Sequence, residues 1–502
     1  MIISLKTFTV TLLLYFIGVA STAIFQNPAV ISAYDLYFIV LLLFGLFSLH
    51  IQNKCEFEES TNRARFPLNI CSTVILILFA AVVIFSHTQG RSIWLDEIIQ
   101  YQFQEGVTKW AAQQQNPPLD YLLSKFSIIV FGNHEFAYKF HPLVFAFMTI
   151  FAPLFFIREN KKESSFALTL SGASLILSSG FSYYSYESRP LSLALFLGVM
   201  CLILIMKYLR TNKGLNYLLI YQVLFCLSIG LQPILLIVAI FLCLGIQKII
   251  AKRTDKESEK DPLFKILKVN LLTALLILPF IVKIYIESLG YNQFKKSFSL
   301  NQIFLYDYLD IYLDLIGLST TIFLLILFLK YQQKLRKLPK LQRRNTQEDP
   351  LSTLLPLSTV IFFIIYILFF TIMINWNLNT RYLYVALAPI YLYAYQLSTK
   401  LTLNIREKVG FLLLLFSLTI TSKLLAPNHP RYNYQQVYQQ IVQSKESKII
   451  NFNYHGLGSW RPRDFIARRI YDKESHKQYI NSKEISQIIK GDLSGLSAKT
   501  SI

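Results

Sequence analysis

Across its 502 residues the chain is 54% hydrophobic and only 16% charged, with a mean hydropathy of +0.43, a balance too apolar for an ordinary soluble enzyme. The net charge of +20 does not mark a nucleic-acid binder, because Lys and Arg fall in short clusters between apolar runs rather than along one face. Those runs reach the roughly 20 residues that a bilayer span needs and leave no room for a large soluble core before the last quarter.

Length and periodicity predict an all-α, polytopic transmembrane bundle of about thirteen spans. They lie near 5–25, 33–51, 67–87, 142–158, 166–182, 191–208, 215–230, 233–249, 266–286, 311–330, 352–374, 382–400 and 409–426. The first resembles a signal peptide, with Lys6 ahead of an apolar stretch that ends in small residues near Ala20. Its length and the span that follows favour an uncleaved anchor. Alternation puts the loops 52–66, 158–165, 207–214, 248–265, 330–351 and 400–408 on one side, and the density of Lys and Arg there, as at Lys334, Arg336, Lys337, Lys340, Arg343 and Arg344, marks the cytoplasm. The N-terminus is then cytoplasmic and the C-terminus external. The Lys-rich 248–268 segment reads as a solvated cytoplasmic loop, the alternatives being a site for anionic lipid or for a cytoplasmic partner.

The outward loops, near 88–141, 183–190, 287–310 and 375–381, carry Asp, Glu, Asn, Tyr and Trp. After Leu425 the composition turns to a polar tail, with a helix expected in Tyr434–Gln443 and a strand in Lys448–Asn453. A core in a unit of that size is marginal, so the tail is expected to rest on the membrane domain. Three parts are expected: an N-terminal two-span extension with its cytoplasmic loop (1–66), a membrane catalytic domain (67–426) and the external tail (427–502). The cysteines Cys55, Cys71, Cys201, Cys226 and Cys243 fall in spans or a cytoplasmic loop, which predicts neither a disulfide nor a Cys-based metal site.

The informative residues gather in the outward loops. Arg91-Ser-Ile-Trp-Leu-Asp-Glu97 follows a span directly and sets two carboxylates beside Trp94 at a membrane surface. Next come Asn116-Pro-Pro-Leu-Asp120-Tyr, whose prolines impose an extended entry, a short apolar helix over 119–131 that is too brief to span, and Phe131-Gly-Asn-His-Glu-Phe136. A later corner reads Tyr183-Tyr-Ser-Tyr-Glu-Ser-Arg-Pro190, where Glu187 and Arg189 sit at a helix entrance. A third, Asn375-Trp-Asn-Leu-Asn-Thr-Arg-Tyr382, ends in a cation at the start of a span.

In this order the motifs resemble the C-superfamily (GT-C) of membrane glycosyltransferases, in particular the protein mannosyltransferase and aminoarabinose transferase-like family. The likeness runs from about Arg91 to Leu209, with weaker echoes at Arg381–Pro389 and Tyr432–Asn453. Trp-Leu-Asp-Glu, Asn-Pro-Pro-Leu, Phe-Gly with a following cation and Tyr-x-x-Glu-x-Arg-Pro are each weak alone and specific as an ordered set. The resemblance implies a glycosyltransferase that takes sugar from a polyprenyl-phosphate donor to an acceptor hydroxyl of a protein, lipid or glycan on the outer face of a membrane, here a bacterial cytoplasmic membrane. It implies Asp96 as general base, with Glu97 beside it. Two positions depart from the family: Lys139 stands where Arg is usual, and Asn116 where His is frequent.

The chemistry is consistent with these residue types. A polyprenyl monophosphate leaves without a strong general acid, unlike the alkoxide that a glycosidase must protonate. Transfer needs a base for the acceptor hydroxyl, cations for the departing phosphate and an apolar groove for the lipid. Asp96 fills the first role. Arg91, Lys139, Arg189 and Arg381 are candidates for the second, and Asn116, Glu97 and Glu187 for sugar or acceptor. Neighbouring side chains diverge, so Asp96 and Glu97 do not occupy one spot. Displacement by one activated hydroxyl inverts the anomeric centre.

No cofactor is expected. Asp307, Asp310 and Asp314 recur at helical spacing and would suit a divalent cation, although an interfacial helix with its acids in water explains them more simply. His134, His141, His429 and His455 lack metal-ligand spacing and read as surface or packing residues. Rival readings are a polymerase or ligase using polyprenyl diphosphate-linked glycans, a transporter or flippase of lipid-linked sugars, and an inactive relative.

Overall fold

The computed structural model describes residues 8–17, 119–132, 135–156, 164–185, 187, 189–252, 262–290, 312–313, 315–337, 350–368, 380–401 and 403–425, with three pairs of strand residues beyond. The expected spans 33–51 and 67–87 and the first outward loop as far as 118 lie outside these residues. The helices are α1 (Phe8–Ile17), α2 (Leu119–Phe131), α3 (Glu135–Phe156), α4 (Ser164–Leu177), α5 (Ser179–Tyr184), α6 (Leu191–Thr211) and α7 (Leu215–Cys226). They continue as α8 (Gln232–Lys252), α9 (Pro262–Gly290), α10 (Leu318–Lys337), α11 (Pro350–Ile367), a 3-10 helix (Thr380–Ala386) that runs into α12 (Leu387–Lys400), and α13 (Ile405–Leu425).

The centre is α6. Its candidate membrane-crossing window is 94% buried, whereas that of α9 is 28% buried and turns Leu271, Leu275, Leu278 and Val282 outward. A helix apolar all round belongs inside a bundle, and an outward apolar face needs lipid rather than water. Among the described residues α6, α8 (to Ile249) and α9 (to Val282) are long and apolar enough to cross a membrane. Together with these outward apolar faces they make the chain an integral membrane protein. Asn212 ends α6 in the left-handed region (φ 54°), its N–H bonded to the Tyr208 carbonyl. Phe8, Phe16 and Phe145 join Phe196 in ring contacts, so α1 shares the core with α3 and α6.

Contacts between helices give their directions. The Phe145 and Phe196 rings lie 5.7 Å apart, Ala388 faces Gly198, and the Tyr391 hydroxyl donates to the Ile150 carbonyl. Thus α3, α6 and the 3-10/α12 segment run parallel and begin at one end of the bundle, the upper end. Thr320 donates to Ser174 O at 3.2 Å and Ser319 to Leu418 O at 3.3 Å, which sets the start of α10 beside the late parts of α4 and α13. At the lower end Lys334 Nζ donates to Lys400 O at 2.6 Å and Lys330 meets Glu407 at 3.3 Å. Lys330, Lys334, Arg336, Lys400, Arg406 and Lys408 collect there, on the side that alternation assigned to the basic loops.

Helix α4 lies along α12, and it carries the small buried residues Ala167, Ser171, Ala173 and Ser174, a composition that lets helices approach closely. Ser171, Ser174 and Ser178 each return their hydroxyl to a carbonyl three residues back, which satisfies these three buried donors.

Three expected boundaries move. The span expected from 142 begins at Glu135, because Pro142 sits inside α3 instead of opening it. The expected 166–182 span is two helices: Ser178 caps α5 by accepting from the Phe181 N–H at 3.3 Å. The span expected from 311 is interrupted: residues 312, 313 and 315 are helical, the Ile316 N–H still bonds to the Tyr312 carbonyl at 2.8 Å, and Gly317 at φ 80° breaks the path before α10 begins at Leu318.

In the tail, β1 (Lys448–Ile449) falls within the expected strand and pairs in parallel with both β2 (Gln478–Tyr479) and β3 (Thr500–Ser501). The helix expected at 434–443 lies outside the described residues. Cys201, Cys226 and Cys243 are free, buried thiols, and Cys55 and Cys71 are outside the described residues.

Candidate active site

The upper end is built from α2, the first turns of α3, the α5–α6 corner and the 3-10 helix. The short apolar helix expected at 119–131 is α2, and it crosses α3 instead of running beside it. Asp120 in its first turn reaches His141 at 3.0 Å, while the Phe131 ring in its last turn packs, tilted by 55°, on Phe140 at 4.6 Å. Two ends of a helix about 20 Å long thus touch neighbouring residues of α3. Tyr15 of α1 meets Phe126 edge-on from another side.

Lys139 lies in a helix, not in the outward loop where the sequence suggested it, and is 1% exposed. The early start of α3 causes this. A buried ammonium requires polar or anionic company.

Glu187, also buried, occupies the turn after α5. Its N–H bonds to Tyr184 O at 3.2 Å, and the Arg189 N–H returns to Glu187 O at 2.7 Å, which tightens the chain before Pro190 opens α6. Ser192 then ties back to Ser185 O at 3.3 Å. Arg189 is half-buried. The 3-10 helix, whose second residue is Arg381, packs on α5 and α6: the Tyr184 and Tyr384 rings meet edge-on at 5.6 Å, and Glu187 and Ser192 lie beside Tyr384. The corner carrying Glu187 and Arg189 and the segment carrying Arg381 therefore converge, although about two hundred residues separate them in sequence.

A third strand of chain completes this corner. Gly180 of α5 lies against Leu315, and Gly317 lies against Ser179, so the entry to α10 is interlocked with α5. Asp307, Asp310 and Asp314 lie outside the described residues, as do Arg91, Asp96, Glu97 and Asn116. Among the described residues no three His, Cys, Asp or Glu side chains come together as a metal site.

The buried charged residues of the described part are Asp120, Lys125, Lys139, His141 and Glu187, and each belongs to this end of the bundle. The Asp120–His141 bond joins residues that the sequence had treated separately: the acid as part of a helix start and the imidazole as a packing residue. An acid in a first helical turn was visible, but its partner across a helix crossing was not.

No family model and no curated protein matches the chain. Among solved structures it is similar to ArnT from Cupriavidus metallidurans bound to undecaprenyl phosphate, with 13% identity and a TM-score of 0.47. It is also similar to the apo state of the same protein, with a TM-score of 0.48. Each alignment covers 74% of this chain and 68% of the other.

Proposed function

We propose that this chain is a membrane glycosyltransferase that moves a sugar from a polyprenyl-phosphate carrier to an acceptor hydroxyl on a protein, lipid or glycan. The observation that carries the proposal is the confinement of buried charge to one end of an otherwise apolar bundle. A reaction between a lipid-linked phosphate and a polar acceptor needs that division: hydrocarbon surface for the prenyl chain, and cations and a base where the headgroup emerges. Transporters more often place their charge near the bilayer midplane, which favours the enzyme over the flippase. The ordered motifs from Arg91 to Pro190 supply the matching residue types.

In this reading Lys139, Arg189, Arg381 and Arg91 neutralise the phosphate as the glycosyl bond breaks. Asp96 takes the proton of the acceptor hydroxyl as its oxygen attacks the anomeric carbon from the opposite face, inverting it. Glu97, Asn116 and Glu187 orient sugar and acceptor. The products are the glycoside and a free polyprenyl phosphate, with no redox change and no cofactor. The basic lower end faces the cytoplasm by the positive-inside rule, so the upper end faces outward, in a bacterial cell from the cytoplasmic membrane.

The test is transfer from a panel of polyprenyl-phosphate sugars by the purified protein in nanodiscs. Wild type should transfer one of them with inversion, and Asp96→Asn should lose about a hundredfold or more, the scale of a removed general base. Retention of configuration would replace the single displacement by a covalent intermediate. Undiminished activity in Asp96→Asn would remove that residue from the base role, and no transfer with any donor would return the flippase reading.

A further inference from the structure

We propose that Asp120 and His141 are positioning residues that set Lys139 against the phosphate of the lipid donor, an inference that rests on the function proposed above. Their side chains are 1% and 2% exposed, and Nε2 of His141 donates to Oδ1 of Asp120 at 3.0 Å. The Ser124 hydroxyl lies 3.4 Å from the same nitrogen. Nδ1, also buried, has no hydrogen-bond partner among the described residues. There the polar contacts of the ring are therefore the ones it makes to α2.

What the bond joins gives it a purpose beyond packing. Burying a carboxylate is costly unless it is hydrogen-bonded, and a site that only needed to hold α2 on α3 would be served by apolar contact of the Phe131–Phe140 kind. The pair instead links the first turn of α2, which Asn116-Pro117-Pro118 leads into, to the turn of α3 that carries Lys139 two residues earlier. A hydrogen bond fixes distance and direction where ring packing allows sliding. Asp120 and Ser124 thus grip α3 from one side and fix the rotation of its upper turns. That rotation decides where the Lys139 ammonium stands.

The inference predicts coupling between His141 and Lys139. Binding of a sugar-free polyprenyl phosphate to the full chain in nanodiscs reads the donor site without turnover. Relative to wild type, His141→Leu should weaken binding by about tenfold or more, the scale of a lost hydrogen bond to a charged group. His141→Gln, which keeps a donor for Asp120, should recover most of that loss. Lys139→Met should weaken binding by itself, and adding His141→Leu to it should cost nothing further, because the positioned group is gone.

Losses that add in the double variant, or unchanged binding in His141→Leu, would overturn the positioning role while leaving the function standing. Wild-type protein that binds no polyprenyl phosphate would overturn both. Should His141→Leu fail to fold, Asp120→Asn keeps the shape of the pair while removing its charge, and the same test of additivity against Lys139→Met decides.

Discussion

Single side chains in this bundle matter most where they satisfy backbone groups that lipid cannot. Pro153 has no N–H to offer the Thr149 carbonyl, and one residue further on the Tyr391 hydroxyl of α12 donates to the Ile150 carbonyl, stitching two helices at a disturbed turn. Tyr391→Phe should cost about 1 kcal/mol, the usual net value of one hydrogen bond, read as a lower Tm in detergent. An unchanged Tm would mean that the stitch contributes only shape. Gln222 is a larger case: its amide donates to Asn270 at 3.0 Å and accepts from Thr273 at 3.0 Å, so one side chain of α7 serves two on α9. Gln222→Leu leaves both partners unpaired and should cost about 1–3 kcal/mol. Both are ordinary residues in sequence, because a polar side chain inside an apolar run does not announce which helix it answers. The site was legible to a similar degree. Lys139, Glu187, Arg189 and Arg381 could be singled out by their place beside apolar runs, whereas the Asp120–His141 bond depends on a helix crossing that no spacing encodes.

At the level of elements, the corner formed by α5 and the entry to α10 depends on two glycines. A Cβ on Gly180 would stand 2.8 Å from the Leu315 carbonyl oxygen and 2.9 Å from a Leu315 methyl, and one on Gly317 would stand 2.6 Å from Ser179 Oγ. Gly180→Ala should therefore destabilise by about 1–3 kcal/mol, as overpacking does, and loosen the corner that carries Glu187. Gly245 in α8 makes the control, since a Cβ there meets nothing within 4 Å and Gly245→Ala should stabilise by about 0.5–1 kcal/mol through backbone entropy. Equal effects of the two substitutions on Tm would deny the interlock. Hydropathy marks where helices are, and α6, α8 and α9 fall within a few residues of their expected ranges. It does not mark where the chain bends. Ser178 and Gly317 break runs that composition alone reads as continuous, and Pro142 fails to break one that it should, because surrounding helices can shelter a disturbed turn.

For the molecule as a whole, the distribution of charge ties the fold to the direction of the chemistry. Cations at the lower end are fastened by structure as well as gathered by sequence: Lys334 caps the last carbonyl of α12, Lys330 meets Glu407, and Lys408 lies over the Phe166 ring at 5.3 Å. Glu407 also accepts from the Asn404 N–H at 3.1 Å while Asn404 Oδ1 accepts from the Glu407 N–H at 2.9 Å, a reciprocal cap that starts α13. By the positive-inside rule the proposed orientation sets the end rich in Lys and Arg on the cytoplasmic side, because moving those charges across the membrane is opposed. On that proposal the end with buried Asp120, Lys139 and Glu187 opens outward, and the proposed donor and acceptor would meet there. Arg406 is exposed at the lower end, so Arg406→Cys, in a chain whose five native cysteines are replaced by Ala, reports orientation directly. A membrane-impermeant maleimide should leave this thiol unlabelled in intact cells and label it in inside-out vesicles. Labelling from outside would turn the bundle over, set the buried charges on the cytoplasmic face, and require a donor sugar presented there instead of one carried across on a lipid.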